Sequence, residues 1–223
     1  MQFQLQDHTA VVSIDDGKAN VVGHAFVDEM LSALDRSIAE AKVLRIEGRS
    51  GMLCAGFDLK ELQKGAEEAV ALVTRGMEML TRIYSHPQPV ITVADGHAVG
   101  MGAFLLLASD YRIGTSNDFN VTLPETAIGM GFTPVLMALI RERVASRYQS
   151  IAVLQSRPLA PRAALDAGFL DLVVTPEDLD SEVASWEAGA SQLPGEVHGR
   201  NKEDLRSGAL KVMRESLEEG IRL

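Results

Sequence analysis

The sequence predicts an α/β fold, and three observations carry that prediction. Short apolar runs of strand length alternate with stretches of helical periodicity through the first half of the chain. Helical patterns dominate the remainder. Glycine clusters stand where strands hand over to helices. Such an order favours right-handed strand–helix–strand crossovers.

In order along the chain, Phe3 to Leu5 and Ala10 to Ile14 read as strands around Asp7 and His8. Asp15-Asp16-Gly17 closes the second. From Ala25 to Ala41 apolar residues recur with helical spacing opposite Asp28, Glu29, Asp35, Arg36 and Glu40. Val43 to Ile46 reads as a strand closed by Gly48 and Gly51. A second helix over Ala66 to Tyr84 carries the stripe Ala69, Leu72, Val73, Gly76, Met77, Leu80 and Ile83, and Pro87 and Pro89 follow it. Val90 to Val93 is a buried strand, followed by a glycine-rich turn and an apolar helix from Ala103 to Ala108. Tyr111 to Ile113, Phe119 to Val121 and Leu170 to Val174 are further strands. Helices are predicted over 133–143, 146–155, 161–167, 178–192 and 201–218. The expected division is a core of residues 1–190 and a shortened C-terminal helical segment of 191–223.

Composition narrows the function. A chain of 223 residues, 46% hydrophobic and 23% charged, is an ordinary globular domain that needs no covalent staple. Its single cysteine, Cys54, forms neither an intrachain disulfide nor a thiolate zinc cluster, which points to a reducing, cytoplasmic setting. The start MQFQLQDHT lacks the pattern of a signal peptide, and the apolar run at Ala103 to Ala108 is too short to span a bilayer. A net charge of −10 argues against a nucleic-acid partner. His8, His86 and His198 are too scattered to suggest a metal, and none is expected.

Two loops stand out. Met52 to Leu62 (MLCAGFDLKEL) runs from strand to helix, with Gly56 allowing a bend and Asp58 placed to cap the helix. Asp95 to Ala103 (DGHAVGMGA) sits in the same context, with Gly96, Gly100 and Gly102. Read alone, the first is a plain strand-to-helix turn and the second a site of tight helix packing. Read together, they can supply two backbone N–H donors to one oxygen, those of Phe57 and of Met101 or Gly102, which is what an oxyanion hole requires.

At these loops the sequence resembles the crotonase superfamily, the enoyl-CoA hydratase/isomerase family. Cys54 to Leu59 is similar to its CAGxDL segment, and Gly96 to Asp110 to its GxxxGGGxxLxxxxD segment. Pro124-Glu125 with Ala127-Ile128-Gly129, Lys18-Ala19-Asn20, and Ala163 to Val173 resemble three more of its segments, in order across nearly the whole chain. The resemblance implies a spiral of ββα units with a C-terminal helical region, a homotrimer or dimer of trimers, and an acyl-CoA substrate whose coenzyme A is part of the substrate rather than a cofactor. It implies oxyanion donors at the N–H groups of Phe57 and Met101. Lys18, Ala19 and the segment Ala55, Gly56, Phe57, Asp58, Leu59 and Lys60 would line the adenine and pantetheine. Gly100, Gly102, Phe104 and Pro124 would be further substrate-binding residues, and Lys202 would stand near the phosphates. No membrane partner is expected.

The departures from the family pattern decide the expected reaction. Hydratases of the family carry two glutamates; the second matches Glu125, whereas the first falls at Phe104. A lone glutamate there resembles the delta3-delta2 enoyl-CoA isomerases, which need one base to shuttle a proton from C2 to C4. Apolar surroundings at Phe104, Leu123, Ile128, Met130 and Phe132 would raise the Glu125 pKa from about 4.3 toward neutrality. Without the resemblance, Glu125 after Pro124 reads as the first turn of a helix. Met101, where most members have glycine, would narrow the pocket. The early end at Leu223 implies a shortened lid. Hydration, another CoA-thioester reaction such as hydrolysis or decarboxylation, and acyl-CoA binding without catalysis are the competing readings.

Overall fold

The computed structural model describes residues 1–221. Strands β1 (Gln2–Gln6) and β2 (Thr9–Ile14) form a hairpin. Helix α1 (His24–Glu40) then returns the chain to β3 (Val43–Gly48), parallel to β2. Three successive units repeat one plan. Strands β3 and β4 (Gly51–Cys54) lead into α2 (Leu59–Leu62) and α3 (Ala66–Tyr84). Strands β5 (Val90–Ala94) and β6 (Gly96–Val99) lead into α4 (Met101–Ala108). Strands β7 (Tyr111–Thr115) and β8 (Val121–Thr122) lead toward α5 (Pro134–Arg143). The first strand of each unit joins a six-stranded sheet, with β9 (Leu172–Val174) at its far edge, in the order β1-β2-β3-β5-β7-β9. The second strand joins a three-stranded sheet, β4-β6-β8. This is a spiral of ββα units, as expected. Every pairing but β1–β2 is parallel.

The inner sheet is what positions the site, and two of its strands, β4 and β6, were not expected from the sequence. Both are four residues long and begin with glycine, so neither shows a run of β-branched residues. Glycine is required there by contact rather than conformation. A Cβ on Gly96 would lie 2.0 Å from the Met52 nitrogen, and one on Gly102 would lie 2.2 Å from the Cys54 carbonyl oxygen. Gly96 and Gly102 therefore let β6 and α4 pack directly on β4. Every residue of α4 is buried, which accounts for its continuous apolar sequence. Cys54 is a core residue, and burial pushes its thiol up to about 12.

The C-terminal stretch predicted as one helix over 201–218 is two, α9 (Gly195–Leu205) and α10 (Ser207–Glu219), broken at Arg206. They follow a short α6 (Ser146–Gln149), a π-helical turn at Ser150–Leu154, α7 (Pro161–Ala167) and α8 (Leu179–Ala190). Asp110, just after α4, ties this end to the core. It accepts from the Val90 N–H (2.7 Å), the Lys202 ammonium (2.6 Å) and the Arg206 guanidinium (2.6 Å). Burial alone would raise the Asp110 carboxyl, but the adjacent Lys202 and Arg206 hold it below the usual carboxylate range. Lys202 also donates to the carbonyls of His86 and Gln88, both at 2.7 Å. The expectation that Lys202 meets the coenzyme phosphates is thereby corrected. Its ammonium is buried and spent on three internal acceptors.

Candidate active site

The two glycine loops meet. The first is held by an extension of the pairing beyond β4. Val22 N–H donates to the Gly56 carbonyl (2.8 Å), Asp58 N–H donates to the Val22 carbonyl (2.9 Å), and Ala55 N–H donates to the Ala19 carbonyl (3.0 Å). Because alternate peptide groups of an extended chain face opposite ways, the Phe57 N–H points away from Val22. Gly56 holds φ at 100°, which a side chain would resist. Asp58 caps α2 by accepting from the Lys60 N–H at 2.8 Å. In the second loop Gly100, with φ at 51°, ends β6 and precedes α4, leaving Met101 as the first residue of the helix. The first N–H groups of a helix have no partner within it. Among the described residues, neither the Phe57 nor the Met101 N–H donates a hydrogen bond. The loops are close enough that a Cβ on Gly56 would stand 3.9 Å from the Met101 nitrogen.

Glu125 closes the third side. The segment 125–129 is a turn, with Met130 N–H donating to the Glu125 carbonyl at 2.8 Å, and α5 begins only at Pro134, capped by Thr133. The reading of Pro124-Glu125 as a helix start is therefore not realised. The Glu125 carboxyl is turned inward instead, with 8% of the residue exposed, and its Oε1 would lie 3.5 Å from a Cβ on Gly100. Its Oε2 is buried with no hydrogen-bond partner among the described residues. An unpaired buried carboxylate is strained electrostatically, and desolvation pushes its pKa up to about 7.

These groups share a cavity of about 230 Å³. Ala55, Gly56, Phe57, Leu59, Gly100, Met101, Pro124 and Glu125 line it, so most of the residues expected from the sequence come together. Glu125 is the one ionisable side chain in that lining. Larger surface grooves lie against Met1–Phe3 and beside α9, but neither involves the glycine loops.

Other expected residues stand elsewhere. Phe104 is fully buried and packs edge-on against Phe132, with centroids 6.4 Å apart, outside the cavity lining. Phe104 and Gly102, both expected at the substrate, thus stand outside this lining, and Gly102 serves packing on Cys54. Of the apolar neighbours expected around Glu125, Ile128 and Met130 line the cavity and Leu123 lies in the core behind it. Lys18 and Lys60 are exposed beyond the cavity wall, and Asp58 is occupied as a cap. Ala19 reaches the site only through its carbonyl bond to Ala55. Asn20, left-handed and buried, ties this turn to the strands by donating to the carbonyls of Ile14, Met52 and Leu53. Leu62, Val73, Gly131, Thr133 and Leu136 also line the cavity, although nothing in the sequence singled them out for it. Val73 sits in an amphipathic stripe that marks a core face equally well, and periodicity cannot separate the two.

Interleaved ββα units, with two unpaired N–H groups and a buried carboxyl around one cavity, define a class of enzyme rather than one reaction. The chain belongs to the enoyl-CoA hydratase/isomerase family, whose profile matches residues 4–209. A probable enoyl-CoA hydratase of Bacillus subtilis is 31% identical over 77% of this chain and 68% of its own length. Two longer relatives are matched over only 34% and 29% of theirs. The crystal structure of an enoyl-CoA hydratase/isomerase family protein from Pseudomonas syringae superposes with a TM-score of 0.94 at 33% identity, covering 97% of this chain and 94% of that one. A Mycobacterium tuberculosis structure described as an enoyl-CoA isomerase superposes at 0.91 with 30% identity, covering 97% and 95%. The same protein is elsewhere described as a probable enoyl-CoA hydratase.

Proposed function

We propose that the protein is an enoyl-CoA isomerase that moves the double bond of a 3-enoyl-CoA to the 2-position. The observation that carries this reading is the single unpaired carboxyl of Glu125 in an otherwise uncharged cavity. A carboxylate with a pKa near 7 is a usable base at neutral pH, and its conjugate acid is a usable proton donor. Glu125 takes a proton from C2 of the thioester, and electrons move onto the carbonyl oxygen to give a dienolate. The N–H groups of Phe57 and Met101 stabilise that charge. Glu125 then returns the proton at C4, and the double bond settles between C2 and C3. Adding water across a conjugated double bond requires a group to hold and activate the water as well as one to supply a proton to carbon, and this lining offers one carboxyl for both tasks. In this reading Lys18, Ala19 and the exposed Lys60 meet the outer coenzyme, with the adenine and pantetheine along the first loop. A homotrimer or dimer of trimers is part of the proposal.

The test is turnover of 3-hexenoyl-CoA by wild type and Glu125→Gln. The isomerase reading expects conjugated 2-hexenoyl-CoA from the wild type and a loss of about 10²–10⁴-fold in the variant. Equal rates would sink it. Hydratase names among the relatives favour the second reading, in which 2-enoyl-CoA is converted to 3-hydroxyacyl-CoA.

A further inference from the structure

Gly76 lies in the middle of the nineteen-residue α3 and is buried. Glycine is a poorer helix former than alanine, so an interior glycine calls for a local reason. The surroundings give one. A Cβ at position 76 would lie 2.6 and 2.8 Å from Cζ and Cε1 of Phe57, and 3.5 Å from Cε of Met101. Two side chains that line the cavity thus lean into the gap left by the missing methyl. Val73, one turn earlier on the same helix, lines the cavity directly, whereas Gly76 stands behind the Phe57 ring.

We infer that Gly76 sets the width of the acyl cavity by storing the Phe57 ring against α3, and so determines the length of apolar acyl chain the protein accepts. This rests on the reading of the cavity as the acyl site but not on which reaction follows. A methyl at position 76 overlaps the far edge of the ring. Relief comes most readily from the ring, since helix α3 is fixed by packing on both α1 and α4. A displaced ring enters space that the acyl group would occupy. Apart from Glu125 and Thr133 the rest of the lining is apolar, with Leu62, Val73, Met130 and Leu136 among it. The Thr133 hydroxyl donates to the sulfur of Met77 at 3.0 Å, so the lining suits an aliphatic acyl chain.

The experiment is calorimetric binding of acetyl-, butyryl-, hexanoyl- and octanoyl-CoA to wild type, Gly76→Ala and Gly76→Ala/Phe57→Leu. Saturated chains are turned over by neither an isomerase nor a hydratase, so the choice between those two does not enter. The wild type should gain affinity with chain length. Gly76→Ala should lose about tenfold for hexanoyl-CoA relative to acetyl-CoA, in line with the discrimination of small hydrophobic steps. The double variant, lacking Cζ and Cε1, should regain the longer chains. A uniform loss across all chain lengths, or no loss, would overturn the role of Gly76 alone. A wild type indifferent to chain length would overturn the acyl assignment with it. If Gly76→Ala does not fold, the double variant decides. A folded double variant that binds the longer chains supports the steric coupling, and one that also fails to fold refutes it.

Discussion

Glu125 combines burial, an orphaned oxygen and a pKa near 7, and each has a measurable consequence. As a base in the free enzyme it must be ionised. We predict that kcat/KM falls tenfold per pH unit below about 7 and is flat above it, which a pH–rate profile checks. The same carboxyl makes a second prediction, of opposite sign for stability. Its folded pKa is raised from 4.5 to about 7, so between these values the unfolded chain gives up a proton that the folded chain keeps. Stability from this group is therefore full below 4.5 and is lost as pH rises through about 7. Glu125→Gln should be more stable than wild type at pH 8, by up to about 3 kcal/mol, and the gain should vanish near pH 4, as read by urea unfolding. The residue itself was legible in the sequence through Pro124-Glu125 in the family pattern. Its inward orientation was legible only through that pattern, since a turn at 125–129 and a first helical turn share the same residue types.

At the scale of elements, the site depends on how closely β6 and α4 approach β4. Adding a methyl at Gly102 forces it to within 2.2 Å of a backbone carbonyl that cannot give way cheaply. We predict that Gly102→Ala destabilises the fold by about 1–3 kcal/mol or more by urea unfolding, as overpacking does, and weakens activity along with it. A neutral substitution would mean that the inner sheet is looser than described. The helices α1 and α3 were readable because their apolar stripes are long and periodic. Strands β4 and β6 were not, because glycine chosen for close contact erases the pattern by which a strand is read. Phe104 illustrates the same limit. Alignment to a glutamate position places it at the substrate, yet α4 is buried on every side and turns it into the core against Phe132.

At the scale of the molecule, the core spiral and the C-terminal helices are joined through Asp110, Lys202 and Arg206. Removing one partner of a buried ion pair leaves the other uncompensated. Lys202→Met is expected to cost about 3–5 kcal/mol in unfolding experiments. The cost should appear without a change in acyl-CoA affinity beyond that of lost folded protein, because Lys202 faces inward. Nothing in the residue type announced this. A lysine in a late amphipathic helix reads as a solvent or phosphate contact until its three internal acceptors are seen. The alternation of strands and helices gave the class of the fold. Its winding into a spiral of ββα units was supplied by the family resemblance rather than by periodicity.

The claim on which the account turns is that one buried carboxyl facing two backbone donors isomerises rather than hydrates. The most direct measurement exposes the purified protein to 3-hexenoyl-CoA and 2-hexenoyl-CoA in parallel, with conjugation followed by ultraviolet absorbance and products identified by mass spectrometry. The account predicts that conjugated enoyl-CoA grows from the first and that the second gains no water. Formation of 3-hydroxyhexanoyl-CoA from the second, with no conversion of the first, would contradict it.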